Sequence, residues 1–565
     1  MTERRKVASY GDAGFSQFLR KAFARHLGHS TEDFKKPVIG ICNTESEVNR
    51  CHTHFGPIVE AIKRGVLMEG GIPLEFPTIS LGESFTTPTT MLFRNLAAMD
   101  TEEMVRAQPL DGVVLIGGCD KMTPAQLMGA ASADIPAIMF TGGPMGNGEY
   151  QGQTLGACSD CRFFWQEYRS GTINDEQLEE INESLAPTAG HCMVMGSAST
   201  MAVVSEALGM MLPGAAAIPA TENKRLAAAQ ETGKQIVQLV SKDITPSQIM
   251  TREAFENAIR MIMAIGGSTN AVIHLVAIAG RLGIKLPMDL FDQIGKETPF
   301  IANLRPAGKY QMQELYYAGG APAVMKELKD YLHLDELTVT GNTIRENLQG
   351  VKAVSDVYRD IIYPVQQPLH KGEGIAVLKG NLAPNGALIK PKAASKDLLK
   401  HKGRAVVFFS IQDMEERIDD PDLDVNKDDI LVLKNAGPVG APGMPEAGML
   451  PIPEKLLKQG VRDMVRISDC RMSGTAFGTV VLHVAPEAAV GGPLALVETG
   501  DMIELDVEAR KLALDISDTE LNQRKANLKS VRPLAERGYT RLYQQHVLQA
   551  DEGCDFDFLV KAENE

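Results

Sequence analysis

Aromatic residues make up only 5% of the 565 residues, with a single tryptophan, and there are just eight cysteines, scattered along the chain. Cysteines spread so thinly do not form a disulfide framework, and a reducing cytoplasm, where thiols stay free for metal, fits best. No run approaches the roughly 18 apolar residues of a membrane span. The opening MTERRKVASYGDAGF has basic residues with no apolar stretch behind them, so no secretory signal is expected. Positive charge is short, with 57 Lys+Arg against 72 Asp+Glu and a formal net charge of -15. That field repels polyphosphate and argues against nucleic acid as a partner. A small anionic substrate remains compatible, because a local metal outweighs distant surface charge. Internal repeats and low-complexity linkers are absent as well.

What is present is the balance of a soluble globular protein, 44% hydrophobic and 23% charged, in a chain too long for one ordinary core. Between residues 37 and 145, apolar runs alternate with helical stretches: KPVIGIC, PIVEAIKRGVLMEGG, PLEFPTIS, DGVVLIGG, TPAQLMGAAS, PAIMFTGG. Such alternation predicts an α/β fold with a doubly wound parallel sheet, whose ligands gather at the carboxyl ends of its strands. Residues 155 to 345 read as helical additions. From 371 to about 545 short strands with Gly/Pro/Asn turns predict a β-rich, barrel-like domain. The expected division is therefore 1–370 and 371–565.

Three cysteines sit in polar, glycine-bearing loops: Cys51 in NRCHTHF, Cys119 in GGCDKMTPA and Cys192 in AGHCMVMGSASTM. Cys42, inside an apparent strand, reads as core. Cys158 and Cys161 form a CxxC, a spacing used to hold metal or to make a redox disulfide, but one CxxC with no second half reads as well without a functional role. Carboxylates suited to a hard cation stand at Glu83 in LGES, Asp120 beside Lys121, and Glu446 in APGMPEAGM. Taken singly, each is as well explained by a surface loop. Ser473 lies in a turn within SDCRMSGTAFG, between Arg471 and Gly474.

Together, GGCDKMTPA, GHCMVMGSASTMA, GGSTNAVIHL, APGMPE and DCRMSGTAFGTVVLHVAPEA resemble the dihydroxy-acid/6-phosphogluconate dehydratase family, in order and through nearly the whole chain. The opening SYGDAGFSQFLRKAF and the HCMVMGSASTM segment are closer to its sugar-acid (aldonate) branch. The resemblance implies that Cys51, Cys119 and Cys192 ligate a [2Fe–2S] cluster with one iron position open. It also implies Mg²⁺ on Glu83, Asp120, Glu446 and Lys121, the lysine as a carbamate, since an ammonium cannot ligate a cation. Ser473, as alkoxide, is then the base that removes the C2 proton of a 2,3-dihydroxy acid. The implied assembly is a homodimer or homotetramer.

One position departs from the family pattern: Cys470 replaces a glycine and either reshapes the pocket or faces the core. GGSTN and GNLAPNG either offer backbone N–H groups to a carboxylate or serve as helix-start and turn chemistry. Thr200, Ser199 and His54 are candidates to face further substrate hydroxyls. Two other functions compete: a magnesium-only dehydratase, and an iron–sulfur sensor without catalysis. Within the family, the alternative substrate is the dihydroxy acid of branched-chain amino-acid synthesis, 2,3-dihydroxyisovalerate.

Overall fold

The structure is a computed structural model and describes residues 12–28, 30–372, 374–528 and 534–562. Ser9–Gly11, the start of the SYGDAGF segment, lie outside these residues. Helix α1 (Ala13–Ala24) leads into a first sheet of β1 (Val38–Asn43), β2 (Ile72–Pro77), β3 (Gly112–Gly117) and β4 (Ala137–Thr141). The strands are parallel, in the order β2-β1-β3-β4. β3 and β4 are buried throughout and β1 beyond its first residue, which is the pattern of a sheet covered on both faces.

The helices are α2 (Phe55–Met68), α3 (Arg94–Ala107), α4 (Met122–Ala133), α5 (Ala157–Arg169), α6 (Asp175–Ser184), α7 (Ser197–Ala207), α8 (Asn223–Lys242), the single turn α9 (Pro246–Ile249), α10 (Arg252–Ile265) and α11 (Asn270–Arg281). Right-handed crossovers put α2 on one face of the sheet, where it packs on α8, and α3 and α4 together on the other. α2 and α8 cross at Gly65 and Gly233. A Cβ on either would strike the other helix's backbone, at Gln230 and Ile62 respectively. Strand order reverses between β1 and β3, so the sheet's ligand crevice opens above their carboxyl ends.

After a small hairpin, β5 (Gly148–Tyr150) with β6 (Gln153–Leu155), the later chain builds a closed barrel. Its strands are β7 (Ala376–Gly380), β8 (Ala383–Ile389), β9 (Lys400–Phe408), β10 (Ile430–Leu433), β11 (Arg466–Ser468), β12 (Val480–Ala485), β13 (Met502–Asp506) and β14 (Lys511–Leu514). Closure in the order β10-β11-β12-β8-β7-β14-β13-β9 leaves no unpaired edge. β9 to β12 run parallel, so the loops after β10 and β11 emerge at the same end. Buried contacts fix this barrel to the helices. Lys390 Nζ, just after β8, donates to the Gly266 carbonyl at the end of α10 (3.0 Å), and Arg281 at the end of α11 pairs with Asp555 in the segment that follows the barrel (2.5 Å). Among the described residues, no helix is long and apolar enough to cross a membrane.

Two buried carboxylates brace the barrel loops. Asp469 accepts from the Ala436 and Ala488 N–H groups (3.0 and 2.9 Å), tying the loops after β10, β11 and β12 together. Glu487 accepts from Val439 and Gly440 (both 2.9 Å) and so holds the stretch leading to Glu446. Burial lifts Asp469 to about 6. Burial and the neighbouring Asp469 charge lift Glu487 to about 7. Groups whose pKa rises on folding contribute stability that is full below their unfolded values and lost as pH climbs through the folded ones. Buried neutral histidines titrate in the opposite sense, so the informative quantity is a difference between proteins. Glu487→Gln should gain in melting temperature relative to the wild type as pH rises from 5 to 8. A difference independent of pH would show that Glu487 is ionised throughout this range.

Candidate active site

Three of the four loops at the carboxyl edge of the parallel sheet contribute to one region. The loop after β1 carries Cys51, that after β2 Glu83, and that after β3 Cys119, Asp120 and Lys121. His52 fastens the first to the third. Burial lowers its pKa to about 3, so it is neutral. Its Nε2 accepts the Cys119 N–H (2.7 Å) while Nδ1 donates to the Thr44 carbonyl (2.8 Å). The loops bearing Cys51 and Cys119 are thereby joined, and the Cys119 thiol donates to Asp120 (3.3 Å). Sequence reading singled out neither His52 nor this role. Its signal was only adjacency to Cys51.

Glu83, Asp120 and Glu446 each place an oxygen within 4.8 Å of the others. Lys121, fully buried, sits among them, bonded to Asp120 and 3.2 Å from Glu446 and 3.5 Å from Glu83. Burial and the Arg471 charge pull Lys121 down, but the three carboxylates outweigh both and hold it above its ordinary value. Buried Arg471 reaches Glu446 (3.1 Å), the Met444 carbonyl (2.8 Å) and Thr89 Oγ1 (3.1 Å). Thr89 in turn donates to Glu83 (2.6 Å), and Thr90 adds a second hydroxyl. Burial alone would raise Glu83; the Lys121 and Arg471 charges bring it to about 2. Asp120 is raised, by burial and by the acids beside it against the pull of Lys121. Three carboxylates against two cations leave a net negative charge, which a divalent cation fits.

Ser473 comes from the loop after β11, and Glu446 from the loop after β10. Asn270, opening α11, links them to the helices. Its Nδ2 donates to Ser197 Oγ (2.9 Å) and to the Met472 carbonyl (3.2 Å), and lies 3.5 Å from Glu446. Its Oδ1 is buried without a partner. Ser473 Oγ lies 2.8 Å from Thr475 Oγ1, which donates to the Cys158 carbonyl (3.2 Å). Gly474 has no room for a side chain. A Cβ there would stand 2.5 Å from Ser268 Oγ and 2.7 Å from Ser197 N, at the start of α7.

Cys192 lies just before α7, its carbonyl held by Ser199 Oγ (2.8 Å). Its thiol neighbour is Cys158, whose hydrogen bond brings Cys192 down to about 7. All eight cysteines are free, so the CxxC forms no internal disulfide, and Cys161 is exposed. Cys42 is core, as expected. Cys470 also faces the core, packed among Phe408, Leu433 and Met464, which settles its two readings. Thr200 accepts from the Ser268 N–H (3.1 Å) and His54 bonds the Gly142 carbonyl (3.0 Å), so both brace backbone. GNLAPNG is the β7–β8 turn, pinned by Asn381 to Leu514 (2.8 Å). GGSTN instead starts α11 at the site.

Soft thiols beside hard carboxylates, with a serine on the facing loop, form the donor set of a metal-dependent lyase site. Residues 36–347 match the profile of the dihydroxy-acid/6-phosphogluconate dehydratase N-terminal region, and residues 360–554 that of its C-terminal region. The chain belongs to this dehydratase family, whose members are hydro-lyases. It is 51% identical over 553 residues to an L-arabinonate dehydratase of Rhizobium leguminosarum bv. trifolii, covering 97% of this chain and 95% of that protein. Identity to a 6-deoxy-6-sulfo-D-gluconate dehydratase of Pseudomonas putida is 47% over 550 residues (97% and 94%). Identity to a dihydroxy-acid dehydratase of Caldanaerobacter subterraneus is 41% over 540 residues (94% and 95%).

The tight seat of Gly474 yields a test. Gly474→Ala should fold, with a circular dichroism spectrum like the wild type. It should lose about 100-fold in dehydration rate, since displacing a reacting group by an ångström costs that much. Undiminished turnover would mean the Ser473 loop does not need this seat.

Proposed function

We propose that the chain dehydrates a 2,3-dihydroxy sugar acid to its 2-keto-3-deoxy acid. The observation that carries this reading is the convergence of Glu83, Asp120 and Glu446 from both halves of the chain, beside the cysteine pairs and the Ser473 loop. Cys51, Cys119 and Cys192 are the thiols for a [2Fe–2S] cluster. Glu83, Asp120 and Glu446 are the oxygens for Mg²⁺, joined by Lys121 once carbamylation makes it anionic. When bound, these groups supply Lewis acidity, the cluster toward the 3-hydroxyl and Mg²⁺ toward the carboxylate and 2-hydroxyl.

The chain's own residues do the rest. Arg471 and the Asn270 amide fix Glu446, and Thr89 and Thr90 fix Glu83, so the oxygen donors are preorganised. Ser473 takes the C2 proton. Its hydroxyl is a poor base unless the alkoxide is stabilised, and the adjacent Thr475 hydroxyl and the start of α7 serve that end. Loss of the C2 proton and the 3-hydroxyl leaves an enol, which tautomerises to the keto acid. The same reading divides the chain near residue 370, and places it in a reducing cytoplasm as a homodimer or homotetramer.

The sugar-acid choice draws on relatives near half identity, against 41% for the dihydroxy-acid dehydratase. Anaerobically purified, Mg²⁺-supplied protein should form keto acid faster from L-arabinonate, D-xylonate, D-gluconate or 6-deoxy-6-sulfo-D-gluconate than from 2,3-dihydroxyisovalerate. Preference for the last would move the enzyme to branched-chain amino-acid synthesis. Ser473→Ala should keep the visible absorption of the wild type and lose at least about 1,000-fold in turnover. Substantial turnover in that variant removes serine from the base role.

A further inference from the structure

The three cysteines assigned above leave a fourth thiol unexplained. Cys51 and Cys119 lie on two loops that His52 joins, and Cys158 and Cys192 pack against one small cluster of Met145, Ala157, Met193 and Val194. Arg50, next to Cys51 in the chain, lies within electrostatic reach of both members of the second pair.

Cys158 is held where it is by contacts on every side. It stands in the first turn of α5. The preceding Ala157 N–H donates to Met193 Sδ (3.0 Å), clamping α5 onto the segment that carries Cys192. Asp160 accepts from the Gly156 N–H (2.6 Å) and pairs with Arg305 (2.6 Å), fixing the same turn. The Cys158 carbonyl receives the Thr475 hydroxyl, so this turn also touches the Ser473 loop. Cys161, the other member of the CxxC, is exposed and bonds only back to the Cys158 carbonyl (3.3 Å).

Two pairs of thiols are the complete donor set of a four-cysteine [2Fe–2S] cluster, one pair to each iron. Three ligands leave an iron open to substrate, whereas four close it. Resting on the cluster reading above, we propose that Cys158 is a fourth, exchangeable thiolate: it closes the Cys192-bound iron in the ligand-free enzyme and leaves when a substrate hydroxyl arrives. The exchange changes no oxidation state. The iron–sulfur bond breaks with its electron pair on sulfur, the hydroxyl oxygen donates a pair to the iron, and the released thiolate takes up a proton. Such a cap would shield the reactive iron from solvent and oxygen between turnovers.

The test compares full-length wild type with Cys158→Ser, Cys161→Ser and Cys119→Ser, all purified anaerobically. Iron and acid-labile sulfide are measured, together with visible spectra and electron paramagnetic resonance after dithionite reduction, without and with L-arabinonate. The expected result is that Cys158→Ser keeps the iron and sulfide of the wild type but shifts its g-values and visible bands. Cys161→Ser should match the wild type, and L-arabinonate should move both of these toward the Cys158→Ser spectrum. Ligand-free spectra of Cys158→Ser that superimpose on the wild type would overturn the proposal while leaving the cluster intact. Total loss of iron in Cys158→Ser, or wild-type spectra unmoved by L-arabinonate, would overturn the exchange. Wild type without iron, or Cys119→Ser with full iron, would instead sink the cluster reading and this proposal with it.

Discussion

Lys121 is buried among three carboxylates that arrive from separate loops, and the Arg471 charge acts on the same three, pairing directly with Glu446. Stripping one partner from a buried charge pair costs about 3–5 kcal/mol, because the remaining charge is left without compensation. Here the partners belong to different halves of the chain. Lys121 follows a strand of the parallel sheet, whereas Arg471 and Glu446 follow strands of the barrel. The charges therefore set the register between sheet and barrel as well as the geometry of the site. The arrangement also explains why the cluster of acids tolerates burial before any metal is present. Two cations neutralise most of the negative charge, and the remainder draws a further cation in.

The soft side of the site depends on a different device. A neutral histidine, His52, has its proton committed to Thr44 and its lone pair to Cys119, so the loops bearing Cys51 and Cys119 move as one. Burial enforces that neutrality; a protonated ring would lose the Cys119 bond. The Cys192 side is fixed by Ser199 and by Met193, whose sulfur receives a backbone N–H from α5. Neutral hydrogen bonds hold the thiol loops, charges and neutral donors together hold the acids, and the Cys119 thiol on Asp120 (3.3 Å) joins the two networks.

Much of this was legible in the sequence because it is local. Continuous apolar runs alternating with amphipathic stretches gave the sheet, and short strands with Gly/Pro turns gave the barrel. Cys51, Cys119 and Asp120 stood out because they follow strands, where an open α/β sheet binds ligands. What escaped depends on partners distant in sequence. Cys158 meets Cys192 only because α5 folds back on the segment before α7, and one CxxC carries no sign of that. Thr89 gains its role from Arg471, which lies 382 residues away. Cys470 was ambiguous for a related reason. A cysteine three residues before a turn serine faces either the pocket or the core, and only the packing of Phe408 and Met464 around it decides for the core.

The same distribution of parts constrains how substrate is handled. The sheet half holds the thiols and two of the acids, while the barrel half holds Glu446, Arg471 and Ser473. Neither half alone brings Glu83, Asp120 and Glu446 together or sets them beside the Ser473 loop, so this constellation exists only at the seam. Asn270 spans that seam, with its amide nitrogen on the Met472 carbonyl and near Glu446 and its oxygen unpaired. A buried acceptor without a partner costs about 1–3 kcal/mol. The seam carries that cost because the same amide's nitrogen is committed to the Ser197 hydroxyl and the Met472 carbonyl, which join the helices to the Ser473 loop.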